Sequence, residues 1–370
     1  MRRRPVGRPV RGGARGHGDH GAVSGGWTQP RALDRFEPLK PAEAKLLAEC
    51  DSGLVVVIGD GTRPPEDAPE AVRIRANFLR WLILGAEGAA RGPHEKGVRV
   101  RGAFIESDGP AGAGTRGLSL EGCKVDWDIG LVLCRFESAP WFDGARLHGL
   151  YLDGSWTPGL DADGLETRGD VHLRNGFESE GEIRLLGARI GGNLDCHGAA
   201  LRNWGGSTLS ADRLTTGGSV FLRGGLTSDG AIRLVGAQIS GNLDCRGAEL
   251  SEPQGVALNL TSANAAGLFI RSAKESELRS LSPEYHTRVL GEVILERAKI
   301  ATITDASEAW PPAGQLRLDG LQYSSFVAAP LLPARRSEWL LKQAREDLEI
   351  DFKPQPWEQC AKVLREMGHP

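Results

Sequence analysis

The chain nearly repeats itself at a distance of 49 residues. IRLLGARIGGNLDCHGAAL (183–201) returns as IRLVGAQISGNLDCRGAEL (232–250), identical at 14 of 19 positions. Upstream, LDADGLETRGDVHLR from Leu160 returns as LSADRLTTGGSVFLR from Leu209. A fixed period means stacked units, each too small to bury a core of its own. That constrains architecture strongly and names no reaction.

Each copy contains two similar halves. An apolar-x-apolar triplet follows a Gly-rich turn at Val171-His-Leu173, Leu194-Asp-Cys196, Val220-Phe-Leu222 and Leu243-Asp-Cys245, with spacings of 23, 26 and 23 residues. The series extends to Leu150-Tyr-Leu152 upstream and to Leu268-Phe-Ile270, Val293-Ile-Leu295 and Leu316-Arg-Leu318 downstream. Alternation at period two predicts strands with one buried face. Two or three strands of three to five residues then make one coil, and coils stack about 4.8 Å apart. A left-handed hexapeptide helix needs a period of about 18 and a pentapeptide-repeat prism one of about 20. The longer, uneven spacing predicts a mainly β fold, a right-handed parallel β-helix. Its roughly ten coils give a rod roughly 45–50 Å long, with α-helical caps at both ends. Gly191, Gly192, Gly217, Gly218 and Gly241 are expected at corners with unusual backbone angles. Asn193 and Asn242 are expected as corner residues.

Four segments follow. Residues 1–31 form an Arg/Gly-rich tail expected to be disordered. Residues 32–96 form an N-terminal helical cap, with a short helix at 40–50 and an extended segment at 54–59. A second helix is expected from Asp67 to Gly85, with an apolar side of Val72, Phe78, Leu79, Leu82 and Ile83. Residues 97–326 form the β-helix. Residues 327–370 form a C-terminal helical segment, with helices at Ser337–Ala344 and Pro356–Met367. Trp339, Leu340, Trp357, Ala361 and Leu364 would pack on the end of the rod.

Net charge is −3, but six Arg against one Asp make residues 1–29 strongly basic. Nucleic-acid binding is expected only through this tail. No apolar stretch is long enough to span a membrane, and no export signal is present. The expected location is cytoplasmic, peripheral at the inner membrane. Six Cys show no metal-ligand spacing. Cys196 and Cys245 share an inward site two coils apart, too far for a disulfide, and read as small apolar core residues of a reducing compartment.

Outward residues at the triplet centres should form a stripe: Tyr151, His172, Asp195, Phe221, Asp244 and Phe269. Aromatics and carboxylates on such a face can bind sugars. Asp195 and Asp244, two coils apart, approach the separation of an inverting glycosidase pair. A second row (Asp161, Arg184, Ser210, Arg233, Asn259) reads as solubilising surface. Gly112-Ala-Gly114-Thr-Arg-Gly117 matches a dinucleotide fingerprint, but a strand-like stretch follows where a helix is required. No catalytic, cofactor-binding or metal-binding residue is assigned, and no cofactor is indicated.

GARIGGNLDCHGA and GAQISGNLDCRGA resemble the repeats of actinobacterial proteins commonly labelled "membrane-associated oxidoreductase" or "oxidoreductase". The resemblance also covers LLAECDSGLVVVIGDGTRP (46–64), KGVRVRGAFIE (96–106) and DFKPQPWEQCAKVLREMGH (351–369). These motifs mark the family and carry no catalytic signature. The resemblance implies membrane association, because members continue past the equivalent of Arg365–His369 into a basic stretch and hydrophobic segments. This chain ends there, so it is expected to be a truncated or soluble variant. The leading expectation is a non-enzymatic scaffold that self-associates or docks a protein partner along a face or at an end. The alternatives are the labelled oxidoreductase activity and a carbohydrate-active β-helix enzyme.

Overall fold

The computed structural model describes residues 33–87, 89–90, 92–108, 117–272 and 285–369. The basic tail and positions 112–116 of the Gly-rich motif lie outside the described residues. The chain is mainly β. Among the described residues all paired strands run parallel, in two sheets of 15 and 12 strands that stack as a β-helix-like solenoid.

One coil is plain between Arg146 and Asp161. Four two-residue strands follow one another: Arg146–Leu147, Leu150–Tyr151, Trp156–Thr157 and Leu160–Asp161. Each pairs with its counterpart in the next coil, through Glu166, Val171, Glu178 and Ile183. The cross-section is therefore four-sided here, which corrects the expectation of two or three longer strands per coil. We number the faces in chain order from Leu150: first face (Leu150), second (Trp156), third (Leu160), fourth (Arg146, Glu166). The triplets misled because only their first two residues form the strand. The third, such as Leu152 or Leu173, turns back inward just before the corner, and both are fully buried. Later coils merge sides into longer strands, Ala200–Ser210 and Glu249–Asn259, which bend through register shifts.

The corner between third and fourth faces repeats one backbone state. Gly164, Gly187, Arg213, Gly236, Ser262, Arg297 and Gly320 all have φ between 55° and 75°. Three of the seven are not glycine, so stacking imposes the left-handed state against a cost of about 1–2 kcal/mol each. The glycines singled out from sequence do something else. Gly191, Gly192, Gly217, Gly218 and Gly241 are absent from the left-handed region. They allow close approach: a Cβ on Gly217 would stand 2.1 Å from the Gly191 carbonyl oxygen, and one on Gly191 2.3 Å from that of Arg168.

Polar groups are satisfied in two repeating ways. Buried Thr157, Ser179, Thr216 and Ser228 point inward, and each hydroxyl donates to the carbonyl of the glycine two residues on, at 2.5–3.0 Å. At the corner before the first face, side chains of one coil receive backbone N–H groups of the next. Asn193 N–H donates to Asp170 (2.6 Å), Ser219 N–H to Asn193 (2.8 Å) and Asn242 N–H to Ser219 (3.0 Å). Cys196 and Cys245 are fully buried unpaired thiols in the core row.

The stack of strands begins earlier than the first triplet. Val56–Val57 pairs with Val100 and Arg101, and Arg73–Arg75 with Phe104–Glu106. The helix expected from Asp67 is therefore shorter: α1 is Pro41–Glu49 and α2 is Ala76–Ile83. Buried Glu43 on α1 accepts from the Arg75 backbone (2.9 Å) and guanidinium (2.8 Å), which holds Arg75 extended. Phe36, Phe78 and Trp81 pack together with ring centroids 5.4–5.6 Å apart.

At the other end, α3 is Pro333–Leu340 and α4 is Gln355–Glu366. Trp339, Leu340 and Leu364 are buried as expected, but Ala361 is exposed, and Cys360 and Val363 fill the contact instead. Gln355 accepts from Gly320 N–H (2.9 Å) and donates to the Leu321 carbonyl (3.0 Å), while Gln359 donates to that of Tyr323 (2.6 Å). Arg336 on α3 makes a two-pronged pair with Asp305 at 2.7 and 2.8 Å, both side chains 2% exposed. Trp310 Nε1 donates to the same carboxylate at 2.7 Å. Among the described residues no helix is long and apolar enough to cross a membrane.

Two kinds of glycine should therefore respond differently. Gly217→Ala forces backbone apart and should cost about 2–3 kcal/mol, whereas Gly236→Ala meets only backbone strain and should cost about 1. Urea unfolding of the two variants measures the order. Arg336→Met strands the Asp305 carboxylate and should cost about 3–5 kcal/mol. Removing Arg335 from its exposed pair with Glu338 should cost under about 1 kcal/mol by the same assay.

Candidate functional site

The stripe exists in register. Tyr151 pairs with His172, His172 with Asp195, Asp195 with Phe221, Phe221 with Asp244 and Asp244 with Phe269. Above Tyr151 the row continues to Gly130 and Arg99. The second row is also in register, from Asp161 through Arg184, Ser210 and Arg233 to Asn259.

The stripe is not uniform. Gly130 carries no side chain, so the first face dips between Arg99 and Tyr151. The resulting cleft, about 360 Å³, is lined by Arg99, Asp128, Tyr151, Asp153, His172 and Arg174, together with Val55. Tyr151 and His172 meet edge to face, centroids 4.8 Å apart. His172 stands 3.7 Å from Asp153 and 3.6 Å from Asp170. His148 Nδ1 lies 2.7 Å from Asp128.

Asp195 and Asp244 lie outside this cleft and are buried. What covers them is a further outward row on the same face, two residues past each triplet centre: Asp153, Arg174, His197, Arg223, Arg246 and Arg271. Arg174 bridges Asp153 (2.7 Å) and Asp195 (2.8 Å). Arg223 and Arg246 both reach Asp244 at 2.8 Å. Arg223 also lies 4.2 Å over the Phe221 ring and Arg246 5.1 Å over Phe269. The signal was present: a basic residue follows five successive triplets, at Leu173-Arg, Cys196-His, Leu222-Arg, Cys245-Arg and Ile270-Arg. Reading only the triplet centres missed it.

These contacts set the protonation states. Burial pushes the Asp153 carboxyl up, but His172 and Arg174 together outweigh it and hold it at about 2. Burial likewise raises Asp244, and Arg246 and then Arg223 bring it below the usual carboxylate range. Burial lowers His197 against the pull of Asp195. Burial also raises Tyr151, assisted by the charges of Asp128 and Asp170. A glycosidase acid must hold a proton near neutrality. Asp244 is instead an ionised clamp, and Asp195 accepts from Arg174 and from the His197 backbone (3.1 Å). The pair is thus two coils apart as expected, but its chemistry is ion pairing. The cleft over Gly130 presents two guanidinium groups, two carboxylates and an aromatic pair, which can bind and orient a small polar molecule. Among the described residues no group of three or more His, Cys, Asp or Glu is placed to hold a metal ion.

The depressed Asp153 carboxyl stabilises the fold fully above the ordinary carboxylate value. That contribution fades as pH falls from about 4 through about 2. Asp153→Asn should therefore be less stable than the parent at neutral pH, with the gap closing over this window. Chemical denaturation across the acid range tests it.

Compared with known proteins, the chain matches no family model, no curated protein and no solved structure.

Proposed function

We propose that this chain is a non-enzymatic scaffold, a right-handed parallel β-helix of about ten coils closed at both ends by its helical segments. In this reading it belongs with the repeat family it resembles and works in the cytoplasm at the membrane surface. The observation that carries the proposal is the arginine row on the first face. Side chains that could have supplied acid–base chemistry there, Asp195 and Asp244, are committed to Arg174, Arg223 and Arg246. Such a face is rigid and internally neutralised, suited to docking rather than turnover.

The ends matter because an open coil offers unpaired backbone groups to another copy. Gln355 and Gln359 occupy such groups at 320, 321 and 323. In the scaffold reading they control end-to-end association. Deleting residues 331–370 should convert a discrete species into fibres or large oligomers in sedimentation velocity runs. Gln355→Ala with Gln359→Ala should shift the same distribution more mildly. A deletion variant that keeps its β circular dichroism and stays monomeric would sink the idea.

A further inference from the structure

We propose that the corner between the fourth and first faces is a groove for an acidic polysaccharide laid along the solenoid axis. Two depressions, about 490 and about 760 Å³, share this corner. The first reaches Thr215 and Gly217, the second starts at Ile239 and Ser240, and Thr215 and Thr216 pair with Gln238 and Ile239 in the next coil. The two are therefore successive stretches of one corner. From Gly191 onward its floor is a column of small residues, Gly191, Gly217, Ser240, Ala266, Ala301 and Ser324, and in the coils before Gly191 the same column carries Asp126, His148 and Arg168. The close approaches at Gly191 and Gly217 leave no room for side chains there.

One wall is the outward row of the fourth face, Lys124, Arg146, Glu166, Arg189 and Thr215, stacked in register. Across both stretches the lining holds six cations, Lys124, Arg146, Arg168, Arg189, Lys299 and Lys362, and two carboxylates, Asp126 and Glu166. The chain as a whole carries −3. Each carboxylate is shared. Asp126 serves Lys124 (2.9 Å) and Arg168 (3.7 Å), and Glu166 serves Arg146 (3.2 Å) and Arg189 (3.0 Å). Two positive charges stay uncompensated in the first stretch, and Lys299 adds to them in the second. Lys362 has Glu366 only at 4.0 Å.

The groove selects among polyanions. Lys124, Arg146, Arg168 and Arg189 place one cation in each of four successive coils, about 4.8 Å apart, and after the neutral Thr215, Gln238 and Asn264 the row returns to a cation at Lys299. The four-coil run suits a linear polymer with one anionic group per ring-sized unit. Exposed Asn264 and Gln322 can bond its hydroxyls. Single-stranded nucleic acid needs aromatic platforms for its bases. Among the described residues the groove's one aromatic is Tyr323, which is buried.

The test uses the full chain with polygalacturonate, neutral dextran and a single-stranded DNA oligonucleotide as probes. The comparison is between the parent and R146E/R189E. Arg146 and Arg189 are 68% and 71% exposed, so the exchange spares the core. R146Q/R189Q repeats it without adding like charge beside Glu166. Both partners in the comparison carry the basic tail, so the difference reads the groove. Polygalacturonate should bind in a salt-sensitive manner and weaken about tenfold in the double variant. Dextran should not bind, and R335E, on α3, should match the parent. Equal affinity in parent and double variant, absence of polygalacturonate binding, or equal binding of dextran overturns the proposal. DNA binding that is tighter than polygalacturonate binding and lost in the same variant makes the groove a nucleic-acid site and overturns it too.

Discussion

Each coil of this molecule takes its backbone hydrogen bonds from the coils before and after it, through strands that are mostly two residues long. A two-residue strand has no independent stability. Everything else follows from keeping the stack in register. The inward rows must be apolar or locally satisfied, which is why Thr157, Ser179, Thr216 and Ser228 each donate to the carbonyl of the glycine two residues on. The corners must repeat, which is why Arg213, Ser262 and Arg297 accept a left-handed backbone that glycine holds at the equivalent position elsewhere. The Asp170–Asn193–Ser219–Asn242 ladder ties one corner to the next where strand pairing lapses.

A stack has two ends, and the two are handled by different chemistry. At the start, Glu43 and Arg75 hold strand Arg73–Arg75 out of the helix that follows it, so α2 begins only at Ala76, after the pairing with Phe104–Glu106. At the finish, glutamine side chains of α4 donate to backbone carbonyls at 321 and 323, and the desolvated Arg336–Asp305 pair pins α3. A buried pair of this kind adds little net stability over an apolar contact, but it fixes one arrangement, because either partner alone is costly.

Much of the stack was legible in the sequence. The spacings 23, 26 and 23 reappear as the offsets from Val171 to Leu194, Val220 and Leu243, and the stripe and second row pair as read. Three things were not legible. Four-sidedness hid because a two-residue strand leaves no alternation of its own. Glycines 191 and 217 look like turn formers in sequence, but only the neighbouring coil reveals the carbonyl that excludes a Cβ. The helix expected from Asp67 satisfied its own periodicity, and pairing with Phe104–Glu106 overrode it. The candidate site was half legible. Tyr151 and His172 do line a cleft, but the cleft exists because of Gly130, a position with nothing to mark it.

Arginine serves two opposed purposes on adjacent surfaces, and burial separates them. On the first face Arg223 and Arg246 are 23% and 16% exposed and both serve one nearly buried carboxylate, with aromatic rings beneath their planes. There desolvation strengthens the pairs and removes the guanidinium groups from any contest for a ligand. At the neighbouring corner Arg146 and Arg189 share Glu166 while largely in water, where such pairs are weak and exchange readily. An arriving anion would displace little there and would meet a surplus of positive charge. The same residue type, set on the same repeating frame, is thus structural where a ring and a buried carboxylate wait for it. It is available where the carboxylate it shares is itself exposed.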